Sequence, residues 1–315
     1  MDRSRDSFTT FAWAVLAFTF AVIVFGAWVR ITGSGAGCGQ HWPTCHGEVI
    51  HRPQSAETLI ELTHRVTSGL SLLAVVALLI WGLRRFDRGH PARWGVALAM
   101  IFMLLEALIG AGLVLLELVG RNDSISRAIV MAIHLSNTCL LTGAMATAAW
   151  CAGDPARRPR LRGSGLGGSL LAVGLALVVL VSMSGAVTAL GDTLYPVIAD
   201  GSLGERLAEG VDTLGQGSTA HFLQRMRVVH PIFAVLSGLY LLYVAISLPG
   251  LPEEPRVRKL GNVVAGLVVA QLCAGVINIM LSAPGWMQLL HLALATALWI
   301  ALVVLSLAAL SREKA

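Results

Sequence analysis

Eight stretches of roughly twenty residues, each nearly free of charge, follow one another along this chain of 315 residues and leave it very few architectures. At 1.5 Å per residue, an α-helix of that length crosses the hydrocarbon layer of a bilayer, about 30 Å thick. A helix satisfies its own backbone hydrogen bonds in lipid. The alternative, a closed barrel, needs short strands of alternating polarity, and the chain has none. Only 13% of the residues are charged, against about 25% in a soluble domain, so an ordinary water-facing surface is excluded. The expected fold is an all-α membrane protein with eight transmembrane helices.

The runs lie at about 11–29, 62–83, 95–119, 126–150, 167–190, 226–247, 261–283 and 286–310. The first is longer than a secretory signal core and ends in Val29-Arg30-Ile31-Thr32, which is no small-residue cleavage pattern, so it counts as a retained helix. A net charge of +5 would suit a nucleic-acid binder, but the cations sit in short clusters between apolar runs. Arg3 and Arg5, then Arg84, Arg85, Arg88 and Arg93, then Arg157, Arg158, Arg160 and Arg162, then Arg256, Arg258 and Lys259, then Arg312 and Lys314 all fall on one side. By the positive-inside rule that side is cytoplasmic, both termini included, and the loops after spans 1, 3, 5 and 7 face outward. No nucleic-acid partner is expected.

The Arg157 to Arg162 loop, followed by Gly163-Ser164-Gly165, divides the chain into residues 1–162 and 163–315, each with four spans. The halves echo each other. Gly26-Ala27-Trp28-Val29-Arg30-Ile31-Thr32-Gly33 ends span 1, and Ser184-Gly185-Ala186-Val187-Thr188-Ala189-Leu190-Gly191 ends span 5. Glu106-Ala107-Leu108-Ile109-Gly110 in span 3 answers Gln271-Leu272-Cys273-Ala274-Gly275 in span 7. The recurrence in the same order predicts two pseudo-symmetric four-helix bundles from a duplicated unit.

Of nine histidines, four lie inside apolar spans: His64, His134, His230 and His291, on spans 2, 4, 6 and 8. Each sits in the first third of a span that runs inward, so all four imidazoles lie at a similar shallow depth. A lone histidine in a membrane bundle can simply hydrogen-bond across helices. Zinc would ask for more nitrogen or sulfur ligands at each site, and a proton relay for groups spread through the membrane's depth. Two imidazoles on facing helices in an apolar bundle suit the two axial positions of a haem iron, with His64 and His134 as one pair and His230 and His291 as the other.

Glu61 stands three residues before His64 and shares its helix face, so its carboxylate can approach what the imidazole ligates; it can equally pair with Arg65, four residues on. The matching stretch Arg227-Val228-Val229-His230-Pro231 holds no acid, which suggests chemistry in the first half and electron transfer in the second. In the loop after span 1, Cys38 and Cys45 lie on the oxidising side, so a disulfide is the default expectation. It is either purely structural or, in a short exposed loop, a reducible pair that exchanges electrons; a third reading makes Cys38, His41, Cys45 and His46 ligands for copper or zinc. Cys139, Cys151 and Cys273 read as small apolar packing residues.

Taken together these residues resemble the haem A synthase family, membrane enzymes that convert haem O to haem A for terminal oxidases. The resemblance rests on Val29-Arg30-Ile31-Thr32-Gly33-Ser34-Gly35, on the loop from Cys38 through Trp42-Pro43 to Cys45-His46-Gly47, on Glu61-x-x-His64-Arg65, and on His134, His230 and His291, and it covers essentially the whole chain. It implies that His64 and His134 ligate the substrate haem in residues 1–162, and that His230 and His291 ligate a haem b cofactor in residues 163–315. It implies a catalytic role for Glu61 and a redox role for Cys38 and Cys45. The implied reaction oxidises a porphyrin methyl to a formyl group by successive hydroxylations, with oxygen from water, in a bacterial plasma membrane. The implied partners are haem O, the haem O synthase that supplies it, membrane lipid, an electron acceptor and, in a homo-oligomer, a second copy of the chain.

Three positions depart from the family pattern. His41 stands where an acid is expected, Glu106 stands where a Gln would match span 7, and the second outward loop, about 191–225, has no cysteine. Two other classes compete with the enzyme. A bis-histidine di-haem electron carrier would need haems near both faces, and a transporter, suggested by the duplication, would not need matched histidine pairs.

Overall fold

Three helices of this chain begin where a side chain caps the first turn, two of them several residues before the apolar runs begin. A computed structural model describes residues 3–154, 157–159, 165–196, 205, 222–247 and 254–311. Its helices are α1 (Arg3–Ile31), α2 (Ala56–Arg85), α3 (Pro91–Leu115), α4 (Ile125–Ala152), α5 (Gly165–Leu194), α6 (Phe222–Ser247), α7 (Pro255–Met280) and α8 (Gly285–Leu310). All eight are long and apolar enough to cross a membrane, and among the described residues there is no strand beyond an isolated bridge.

The Ser55 hydroxyl accepts the Thr58 N–H at 3.1 Å and the Ser124 hydroxyl accepts the Arg127 N–H at 3.2 Å, each satisfying a free donor of the first turn. His90 Nδ1 accepts the Ala92 N–H at 3.1 Å, with Pro91 at the start of α3. Because Ser55 starts α2, the polar turn carrying Glu57 and Glu61 is helical although it lies outside the expected span. α3 and α7 stop short of their expected ends at 119 and 283. Glu117 (φ 54°) turns the chain after α3, and Ser282 (φ 60°) and Ala283 (φ 53°) turn it after α7. Apolar side chains continue through both turns, so hydropathy carries no stop signal there.

The outward faces are as apolar as the inward ones: Leu73 of α2, Trp94 and Leu108 of α3, and Leu236 of α6 are each more than half exposed. Helices apolar all round have lipid as their solvent, and the protein is a multi-pass membrane protein.

Around one ring α1 meets α2, α2 meets α3, α3 meets α4 and α4 meets α1; α5, α6, α7 and α8 close a second ring in the same order. Contacts of α1 and α4 with α5 and α8 join the rings, and α4 and α8 are the most buried helices. Small residues let them approach. A Cβ on Gly143 would lie 3.2 Å from Trp299 of α8, whose indole N–H donates to the Cys139 carbonyl at 2.6 Å. The expected boundary between 162 and 163 lies outside the described residues, as do Arg160, Arg162, Arg312 and Lys314.

Candidate functional site

His64, His134, His230 and His291 lie 8, 9, 8 and 6 residues after the first residues of α2, α4, α6 and α8. At 1.5 Å per residue, they sit about 9–14 Å below helix starts that share one end of the molecule, the end bearing the Cys38–Cys45 loop. Within each ring α2 stands diagonally opposite α4, and α6 opposite α8, so both pairs face across a ring interior. All four rings are half-buried.

Each pair has a ring seated on a glycine of the preceding odd helix, and in the second pair a Cβ on Gly275 of α7 would also lie 3.3 Å from His291 Cε1. A Cβ on Gly26 of α1 would lie 2.9 Å from His64 Cε1, and a Cβ on Gly185 of α5 would lie 3.0 Å from His230 Cε1. Gly26 therefore corresponds to Gly185, which moves the register of that repeat one residue from the sequence alignment of Gly26 with Ser184. The polar surroundings differ between halves. Ser184 Oγ lies 2.9 Å from His230 Nδ1, whereas His64 Nδ1 has no hydrogen-bond partner and the Phe25 ring stands 6.0 Å away. Glu106 Oε1 lies 3.1 Å from His134 Nδ1, and Gln271 Nε2 lies 3.1 Å from His291 Nε2. Two facing imidazoles in an apolar bundle, each pair with a glycine where a side chain would crowd a ring, form a donor set that fits a six-coordinate haem iron.

Glu61 forms the expected ion pair with Arg65. Its Oε1 accepts from Arg65, with Nε at 3.1 Å, and its Oε2 accepts the Cys38 N–H at 2.7 Å. Arg65 Nη1 in turn donates to the His41 carbonyl and, at 2.6 Å, to the Thr44 carbonyl, while the Thr58 hydroxyl donates to the Gly37 carbonyl at 2.7 Å. Glu61 and Arg65 thus pin the loop to α2 one turn from His64.

Cys38 and Cys45 form a disulfide, with Cα atoms 4.5 Å apart. The sequence suggested an exposed pair; instead the two cysteines are 0% and 1% exposed, covered because Gly37 lets the loop backbone press onto the Glu57 backbone of α2. The metal tetrad does not assemble either. Among the described residues the group that converges is Cys45, His46 and His51, and the Cys45 sulfur is already bonded to Cys38. Of the other cysteines Cys139 and Cys151 are buried, whereas Cys273 is exposed.

Sequence reasoning missed several residues around these sites. Arg30 Nη1 donates to the Ala189 carbonyl at 2.6 Å and to Thr193, and its Nη2 donates to Gln288 Oε1 at 2.9 Å, so one cation at the end of α1 ties down α5 and α8. The signal was an arginine adjoining an apolar span inside a repeated motif. Asn137 and Thr138, which hold Glu106, carried no signal beyond standing one turn after His134.

Fold and site together define a multi-pass membrane protein built round two intramembrane histidine pairs beneath a disulfide loop. The chain belongs to the cytochrome oxidase assembly protein family, whose sequence profile matches residues 9–303. It is 51% identical over 304 residues to a Thermus thermophilus protein named protoheme IX farnesyltransferase, a match covering 96% of this chain and 48% of that one. It is also similar to proteins named heme A synthase. The one from Exiguobacterium sibiricum is 37% identical over 135 residues, covering 42% of this chain and 41% of the relative, and the one from Halalkalibacterium halodurans is 38% identical over 123 residues, covering 38% and 40%. The chain spans about half the length of the Thermus thermophilus relatives it matches.

Proposed function

We propose that the chain is the oxidoreductase of haem A synthesis, converting the methyl group of haem O to the formyl group of haem A. The observation that carries this reading is the pair of diagonal imidazole sets at one depth, each with a ring seated on a glycine, Gly26 or Gly185. The overall change is R–CH3 + H2O to R–CHO with loss of four electrons and four protons, reached by two hydroxylations and one dehydration. His64 and His134 hold the substrate. Bound between His230 and His291, a haem b would supply one-electron carriage. The Cys38–Cys45 disulfide can take two electrons and two protons to become two thiols.

Glu61 is the carboxylate on the His64 face of α2, suited to accept a proton or to hold the water that adds. Both its oxygens are engaged, by Arg65 and by the Cys38 N–H, so this role needs one partner released and links the carboxylate to the disulfide loop. Arginine clusters at the opposite end of the helices favour a reading with that end in the cytoplasm and the loop end at the outer face of a bacterial plasma membrane. Partners are then haem O, the enzyme that supplies it, lipid, and an electron acceptor that takes the four electrons of each turnover through the second haem and the disulfide.

The farnesyltransferase name belongs to relatives about twice as long as the matched region. Prenyl transfer from a diphosphate would use Mg²⁺ held by carboxylates. Apart from Asp6 in the first turn of α1 and Glu57 in the first turn of α2, the carboxylates of the eight helices are Glu61, Glu106 and Asp192, each facing a basic side chain: Arg65, His134 and Arg227. That arrangement favours oxidation over prenylation. The test is to express the chain beside a haem O source and analyse extracted haem by mass spectrometry. Haem A is expected, with none from His64→Ala; haem O alone, from protein that retains haem, would overturn the reading.

A further inference from the structure

Glu106 has no part in the function just proposed, yet its carboxylate is held within the membrane-spanning region by two side chains and faces a third. Its Oε1 accepts the Thr138 hydroxyl at 2.5 Å and lies 3.1 Å from His134 Nδ1. Its Oε2 accepts from Asn137 Nδ2, which also donates to the Phe102 carbonyl at 2.8 Å. Both amide hydrogens of Asn137 are therefore committed, and Glu106 is left as a pure acceptor aimed at the imidazole.

The second half repeats the helix arrangement without this clamp. Gln271 stands for Glu106, and the residues three and four after His291 are Leu294 and Ala295, where the first half has Asn137 and Thr138. Gln271, an uncharged amide, approaches Nε2 of His291 at 3.1 Å, the opposite ring nitrogen from the one that Glu106 faces on His134. Three positions thus change together, from acid, amide and hydroxyl to amide and two hydrocarbons. A carboxylate on the distal nitrogen of a ligating histidine fixes its orientation and raises its basicity, which favours the oxidised metal.

We propose that Glu106, held by Asn137 and Thr138, is a positioning residue that acts through His134 to give the first haem site a lower reduction potential than the second. The inference rests on the haem-binding reading above. With such a gradient an electron passes from the first site to the second with no accompanying proton or bond change, one iron going from ferrous to ferric and the other the reverse. Electrons taken from a substrate in the first half would then be drawn towards His230 and His291.

The experiment is a redox titration of purified holoprotein, expressed beside a haem O source and followed by haem absorbance, for the unaltered chain, E106Q and Q271E. E106Q is expected to raise one midpoint potential by a factor of about ten in the oxidised-to-reduced ratio, 59 mV for one electron, and to leave the other in place. Q271E is expected to lower the other. If both variants carry two haems and neither potential moves, the inference is overturned while the haem-binding reading stands. If E106Q loses its haem, Q271E decides alone, and an unmoved potential there overturns the inference. Purified protein with no haem in any variant overturns both.

Discussion

The seating of His64 on Gly26 can be tested by one methyl group. Gly26→Ala puts a Cβ 2.9 Å from Cε1 and 3.2 Å from Nε2 of the imidazole, where carbon atoms in ordinary contact stand about 3.5–4.0 Å apart. The ring must retreat by roughly 0.6–1 Å, or α1 must lift from α2. Overpacking of this kind costs about 1–3 kcal/mol. If binding requires the ring in its present place, that cost converts to about a 5- to 150-fold loss of haem affinity at one site. Gly185→Ala, with its Cβ 3.0 Å from His230 Cε1, should do the same at the other site, whereas Gly110→Ala, with nothing within 4 Å, should do neither. Haem titration followed by absorbance, with pyridine haemochrome stoichiometry, reads both sites in one sample, and the site left intact reports that the chain has folded. Two haems held at unaltered affinity by both Gly26→Ala and Gly185→Ala would refute the seating.

Glu61→Gln removes the charge partner of Arg65 in a pair whose side chains are only 4% and 10% exposed, and breaking a buried pair costs about 3–5 kcal/mol. The loop should loosen, so dithiothreitol should reduce Cys38–Cys45 faster, read by maleimide trapping; an unchanged rate would show that Glu61 does not anchor it. Trp299→Ala empties the contact over Gly143 and leaves the Cys139 carbonyl without its donor, at about 3–5 kcal/mol. Thermal unfolding of the detergent-solubilised protein should begin at lower temperature, and an unchanged Tm would argue against α4 and α8 as the seam between the halves.

Eight helices and four histidines at one depth were legible in the sequence, because both are one-dimensional signals: a length of uncharged chain, and a position within it. The cysteine pairing was legible for the same reason, since only two cysteines share the loop end. Helix starts were misjudged where Ser55 caps a polar turn, because hydropathy cannot see a hydrogen bond from a side chain to a backbone N–H. The burial of Cys38 and Cys45 was invisible because it depends on Gly37 meeting the backbone of Glu57, twenty residues further along the chain. Glu106 was legible as an ionisable group inside a span; its engagement with His134 was not, because that depends on how α3 rotates against α4.

Two four-helix rings with a histidine pair apiece look alike, and like sites cannot by themselves divide labour. Each half brings two histidines, so any difference must come from groups one turn away. The first half has Glu61 with Arg65 beside one histidine and Glu106 beside the other; the second has Arg227, paired at 2.7 Å with Asp192, and the neutral Gln271. One acid, Glu106, faces the first pair and a neutral amide takes its place beside the second, while Glu61 and Asp192 are each turned to an arginine. A site that must lose protons and electrons benefits from nearby acceptors, whereas one that only carries electrons needs its environment to change as little as possible between oxidation states. The asymmetry therefore runs in the direction that chemistry in the first half and electron carriage in the second would require. Exchanging Glu106 and Gln271 should begin to erase the difference between the halves without disturbing the helices that hold them.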